Sequence, residues 1–177
     1  MITVLSSTHR ESSKSDLVAD FYASLLTEKG QKTQVLKLKD LPVNFIQEDM
    51  FGRRTEAFTK LTKPLLESEG LIFVVPEYNG SFPGILKTFM DACDYPGSFA
   101  GKSCALVGLS DGKFGNLRGL EHLTGILNYM KAEVLSYRIH LSGIKNELDE
   151  NGQIFKESTL KMFHFQADKL LNIRKNA

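Results

Sequence analysis

The chain has 177 residues, 42% of them hydrophobic and 24% charged, with a formal net charge of +1. That length allows one sizeable core and is short for two, so a single domain over residues 1–177 is expected. The balanced charge and apolar content argue against disorder, and the missing basic stripe argues against general nucleic-acid binding.

Ile2-Thr3-Val4-Leu5 is apolar and β-branched and gives way to Ser6-Ser7-Thr8, the pattern of a short strand entering a polar loop. From Leu17 the apolar residues Val18, Phe21, Tyr22, Leu25 and Leu26 recur at helical spacing, and Gly30 supplies a stop. Thr33 to Leu38 reads as a second strand. The stretch from Lys39 to Arg54 shows no clear period and reads as a long connection over one edge of the sheet. A helix near Thr55 to Ser68 leads into Leu71-Ile72-Phe73-Val74-Val75, an unbroken apolar run typical of a strand covered on both faces.

Pro83 stands where a first helical residue is expected, and Phe82, Ile85, Leu86, Phe89, Met90 and Cys93 form one apolar stripe. Cys104 to Leu109 reads as a fourth strand, Leu117 to Lys131 as a helix, and Val134 to Tyr137 as a fifth strand. Leu160, Phe163, Ala167, Leu170 and Leu171 mark a closing helix. Alternating strands and helices predict an α/β sandwich: a five-stranded parallel sheet between two helical layers. The commonest strand order for such a chain, 2-1-3-4-5, opens a crevice at the carboxyl ends of strands 1, 3 and 4.

Three loops meet there. The first, Ser6 to Ser15, carries five serines, Thr8, Arg10 and Lys14 ahead of a helix whose first N–H groups lack partners. Hydroxyls, N–H groups and one guanidinium suit a monophosphate. An ordinary polar loop with a serine cap fits the same residues. Neither a Walker A pattern nor a glycine-rich dinucleotide fingerprint is present. The second loop, Pro76 to Gly84, turns tightly at Asn79-Gly80 and offers backbone to a flat ring, or is a plain strand-to-helix turn. The third, Gly108 to Gly119, has four glycines in twelve residues and exposes N–H groups, or is a flexible surface loop.

Taken together the loops resemble the NADPH-dependent FMN reductase family, a flavodoxin-like group of NAD(P)H-dependent quinone, azo-dye and chromate reductases. Pro76-Glu77-Tyr78-Asn79-Gly80-Ser81-Phe82-Pro83-Gly84-Ile85-Leu86-Lys87 is similar to its P-E-Y-N-x-S-x-P-G-x-L-K signature, and Ser7 to Ser15 to its phosphate loop. Ser7 stands where the family usually has glycine, and Ser15 where asparagine is frequent.

The resemblance implies non-covalent FMN, with NAD(P)H as co-substrate. Ser7, Thr8, Arg10, Ser13 and Ser15 would lie at its phosphate, Pro76, Glu77, Tyr78, Asn79 and Gly80 along its ring, and Ser110 with Gly112 on the far side. In such enzymes the flavin carries the chemistry, so no protein acid, base or nucleophile is assigned. The activity implied is ping-pong electron transfer from NAD(P)H to a small acceptor such as a quinone, flavin or azo compound. A homodimer or homotetramer is implied too, with the striped helix as its contact.

The competing readings are a flavodoxin-type carrier serving a protein redox partner, which the +1 charge disfavours, and a domain of this fold that has lost its ligand. His122, His140 and His164 are too scattered for a metal site, and no Gly-x-Ser-x-Gly elbow supports hydrolysis. Cys93 and Cys104 are spaced for neither a redox pair nor a zinc knuckle and are expected to be buried thiols. With no signal sequence or membrane span legible, a cytoplasmic location is the expectation, without nucleic-acid or membrane partners.

Overall fold

The computed structural model describes residues 1–51 and 53–175. Strands β1 (Ile2–Ser6), β2 (Thr33–Lys37), β3 (Gly70–Pro76), β4 (Ser103–Ser110), β5 (Glu133–Val134) and β6 (Ile139–Ser142) form one sheet. Its order is β2-β1-β3-β4-β5, with β6 also on β4 and every pairing parallel.

Helices α1 (Lys14–Glu28) and α6 (Glu157–Lys175) cover one face, while α3 (Glu56–Glu67), α4 (Gly84–Ala92) and α5 (Leu117–Tyr129) cover the other. Side chains alternate across a strand, so β3 sends Ile72 and Val74 to the α1/α6 side and Leu71, Phe73 and Val75 to the opposite side. Both sets are buried. This is why the strand is apolar at every position.

The fifth strand position departs from expectation. Instead of one strand over Val134 to Tyr137, it is filled by two pieces, β5 against Ser103 and Cys104 and β6 against Val107 to Ser110, giving six strands rather than five. The gap is closed by a side chain. The buried Gln166 amide donates to Leu106 O at 3.0 Å and Tyr137 O at 2.9 Å and accepts from Tyr22 at 3.0 Å. Backbone groups that lost their ladder partner therefore stay satisfied.

Two further expectations shift. Pro83 is the cap rather than the first residue of α4, with φ −60° and ψ 135°. The stretch from Lys39 to Arg54 contains a short helix α2 (Phe45–Glu48), whose Phe45 stacks on Phe58 at 6.3 Å. Cys93 and Cys104 are free and buried, and burial pushes the Cys104 thiol up to about 12. Among the described residues no helix is long and apolar enough to cross a membrane.

At the amino end of the sheet, the buried Lys102 ammonium donates to the carbonyls of Leu65, Leu66 and Ser68 and so closes the carboxyl end of α3. Thr3 Oγ1 and Ser68 Oγ share a hydrogen bond of 2.7 Å beside it.

Candidate functional site

The carboxyl ends of β1, β3 and β4 open into a crevice of about 400 Å³. Thr8, Arg10, Ser12, Ser13, Lys14 and Ser15 form one wall, Pro76, Glu77 and Tyr78 the second, and Leu109, Ser110 and Asp111 the third. The sequence-derived loops thus converge as the strand order requires.

The first wall is built on the start of α1. Ser13 is the N-cap, its hydroxyl accepting from the Asp16 N–H at 3.1 Å. The N–H groups of the preceding positions have no intrahelical partner, and the helix dipole adds positive potential there. Asp16 would oppose an anion, but its carboxylate is buried away from the crevice. It accepts from Ser6 Oγ at 2.6 Å and lies 3.4 Å from Lys39 Nζ. That bond to Asp16 raises the Lys39 pKa, so the pair is a neutral foundation under the loop. No acidic partner is found for Arg10 or Lys14 among the described residues. Ser7 lies beneath, fully buried, its N–H bonded to Val74 O at 3.0 Å and its hydroxyl without a partner among the described residues.

The second wall is a two-residue hairpin. Tyr78 and Ser81 exchange backbone bonds of 2.8 and 3.0 Å, and Asn79 and Gly80 occupy the turn with φ of +51° and +75°. Asn79 and Gly80 are not among the crevice-lining residues. The hairpin instead fixes Tyr78, whose phenol spans to the first wall and meets Thr8 Oγ1 at 2.7 Å. Thr8 Oγ1 also accepts from the Arg10 N–H at 3.3 Å.

The third wall is held in place by Asn116, which motif reading passed over. In left-handed conformation (φ +61°), it donates from Nδ2 to Val75 O at 3.0 Å and Pro76 O at 3.1 Å, pinning the third loop to the end of β3. Glycine makes room for this: a Cβ at Gly119 would lie 2.1 Å from Asn116 Oδ1, and one at Gly108 2.2 Å from Gly115 O. Ser110 Oγ donates to Gly112 O and accepts from Gly115 N–H, shaping the loop, while Gly112 stays outside the lining.

A fourth side was not legible in the sequence. Ile144 and Lys145 follow β6 in a 3-10 turn (Ile144–Asn146) and close the crevice. Gly143 N–H donates to Gly112 O at 3.0 Å, and Lys145 pairs with Asp111 at 3.3 Å. Because β6 exists only as the detached half of the fifth strand, no local pattern announces this contact.

The donors at one end of such a site suit an anion, and backbone, an aromatic side chain and Leu109 at the other suit a flat group. Among the described residues no cluster of three or more His, Cys, Asp or Glu could hold a metal, and His122 instead bonds Ser81 Oγ at 2.9 Å.

The model for the NADPH-dependent FMN reductase family matches residues 1–143. A 2-hydroxy-1,4-benzoquinone reductase of Burkholderia is 31% identical over 109 residues, spanning 59% of this chain and 60% of that relative's length. A quinone reductase of Escherichia coli is 29% identical over 169 residues, 90% of this chain and 87% of the relative. Among solved structures, the flavoenzyme NAD(P)H:acceptor oxidoreductase FerB of Paracoccus denitrificans superposes with a TM-score of 0.80. Its identity is 22%, over 97% of this chain and 94% of FerB, a likeness of fold.

Proposed function

The chain belongs to the NADPH-dependent FMN reductase family, and on that premise we propose that it oxidises NAD(P)H, with FMN held non-covalently in the crevice, and delivers the electrons to a small acceptor. The observation that carries this is the joining of an anion site at the start of α1 to a flat-sided cleft at β3 and β4. The donor set fits the group: helix N–H groups, the Ser12, Ser13 and Ser15 hydroxyls, and the Arg10 and Lys14 cations all favour a phosphate.

FMN, when bound, supplies the hydride-accepting centre. The protein positions it. Arg10, Thr8, Ser13 and Ser15 would hold the phosphate, and Pro76, Glu77 and Tyr78 would line the ring. Ser110 and the loop clamped by Asn116 would bound the opposite side. Ser7 would support the first loop from below, and Asn79, Gly80 and Gly112 would set loop shape by backbone rather than by contact. The acceptor class we favour is a quinone, supported by the names of the two relatives. The family match favours this oxidoreductase over the electron-carrier reading.

The proposal includes a single domain over residues 1–177, a cytoplasmic location, and a homodimer. The last is supported by an apolar groove of about 390 Å³ between α4 and α5, lined by Met90, Tyr95, Ile126 and Tyr129, with Tyr129 80% exposed.

The test is a titration with FMN followed by anaerobic addition of NADPH or NADH and then of a quinone. FMN should bind at micromolar concentration or below, its yellow colour should bleach with at least one nucleotide, and the quinone should restore it. Absence of FMN binding, or a bound flavin that no nicotinamide nucleotide bleaches, defeats the proposal.

A further inference from the structure

The geometry points to Tyr78 as a positioning residue for the phosphate end of the crevice: through Thr8 it selects a phosphorylated flavin over an unphosphorylated one. The family motif puts this residue beside the ring. Its hydroxyl, however, reaches the opposite wall and ends 2.7 Å from Thr8 Oγ1, across a sequence separation of 70 residues.

A hydroxyl has one hydrogen to donate and two lone pairs to accept with. At Thr8 one lone pair takes the Arg10 N–H at 3.3 Å, and Tyr78 occupies a second direction. Thr8 is only 1% exposed, so water offers little substitute for a protein or ligand partner. A phosphate in its dianionic form can only accept. Its presence fixes the direction of the chain, with Tyr78 donating to Thr8 and Thr8 donating its hydrogen to the anion.

Tyr78 is half-buried, and its phenol has one hydrogen that can be donated to Thr8. Its backbone is held by the reciprocal bonds to Ser81. The same contact fixes Thr8 relative to the Arg10 N–H and so orders the loop that carries the guanidinium. Polar groups arranged in series in this way reinforce one another. A flavin without the phosphate offers only a neutral hydroxyl to the arrangement and forgoes the charge-assisted bond, which makes the contact a device for choosing between two ligands with the same ring.

This inference rests on the FMN reading above. The test measures binding rather than turnover: quenching of flavin fluorescence by the purified protein, titrated separately with FMN and riboflavin. Wild type, Tyr78→Phe, Thr8→Val, Thr8→Ser and the Tyr78→Phe/Thr8→Val double variant are compared, with thermal unfolding of each recorded alongside. Wild type failing to bind either flavin overturns the FMN reading itself, before any variant is considered.

With wild type binding FMN, Tyr78→Phe should lose about tenfold in FMN affinity, one hydrogen bond's worth, and less than about twofold for riboflavin by the same reckoning. Thr8→Val should do the same, Thr8→Ser should retain affinity, and the double variant should bind FMN no more weakly than the weaker single variant. Equal losses for both flavins, no loss for either, or additive losses in the double variant would each overturn the role assigned to Tyr78.

Discussion

The two ends of the sheet treat positive charge in opposite ways. At the amino end, Lys102 is buried and its ammonium is directed at three backbone carbonyls, those of Leu65, Leu66 and Ser68. Desolvation by burial lowers the Lys102 pKa, the cost of keeping a cation out of water. At the carboxyl end, Arg10 and Lys14 line a crevice without an acidic partner among the described residues, while Asp16, buried beneath the loop, is paired with Lys39 and the lining Asp111 with Lys145. The first arrangement is closed and serves the fold. The second faces the crevice, where the proposed flavin phosphate would meet it.

The comparison is sharpened most by Lys102→Met, which removes the cap of α3 and leaves its carbonyls buried without donors. It should destabilise the protein by about 3 kcal/mol, lowering the melting temperature by roughly 6–12 °C at this size. FMN affinity of the folded fraction should stay within about twofold of wild type. Calorimetry and flavin titration check the two halves. A large loss of affinity would show that the two ends are not independent.

Arg10→Gln is the converse. It should weaken FMN binding about thirtyfold, roughly 2 kcal/mol for a charge-assisted bond to phosphate. The melting temperature without flavin should not change, because the guanidinium serves no partner among the described residues. A fall in stability as large as that of Lys102→Met would break the contrast.

Asn116→Ala lies between the two, since its amide both satisfies the carbonyls of Val75 and Pro76 and sets the third wall. Its expected cost is about 1–2 kcal/mol in denaturant unfolding, together with roughly a threefold to tenfold loss in FMN affinity. Loss of stability with affinity intact would make Asn116 part of the closed end's logic rather than the open end's.

The layered fold was legible because burial on two faces leaves a strong mark: Leu71 to Val75 and Cys104 to Leu109 are apolar without interruption. The first and second loops were legible because the order of strands brings them together and their residue types suit their tasks. The break between β5 and β6 was not, since it depends on Gln166, almost 30 residues further on, replacing a strand bond. The same break generates the wall at Ile144 and Lys145.

By itself, then, the sequence determined the alternation of elements, the end of the sheet at which the site lies, and the donors available there. Periodicity and residue chemistry are local properties, and both are written along the chain. Only the tertiary structure decided which groups face inward: Asn79 and Gly80 outside the crevice, Asp16 turned under it, and Tyr78 drawn across to Thr8. Those outcomes depend on distances between residues far apart in the chain, fixed by how the strands register and how the loops pack over their ends.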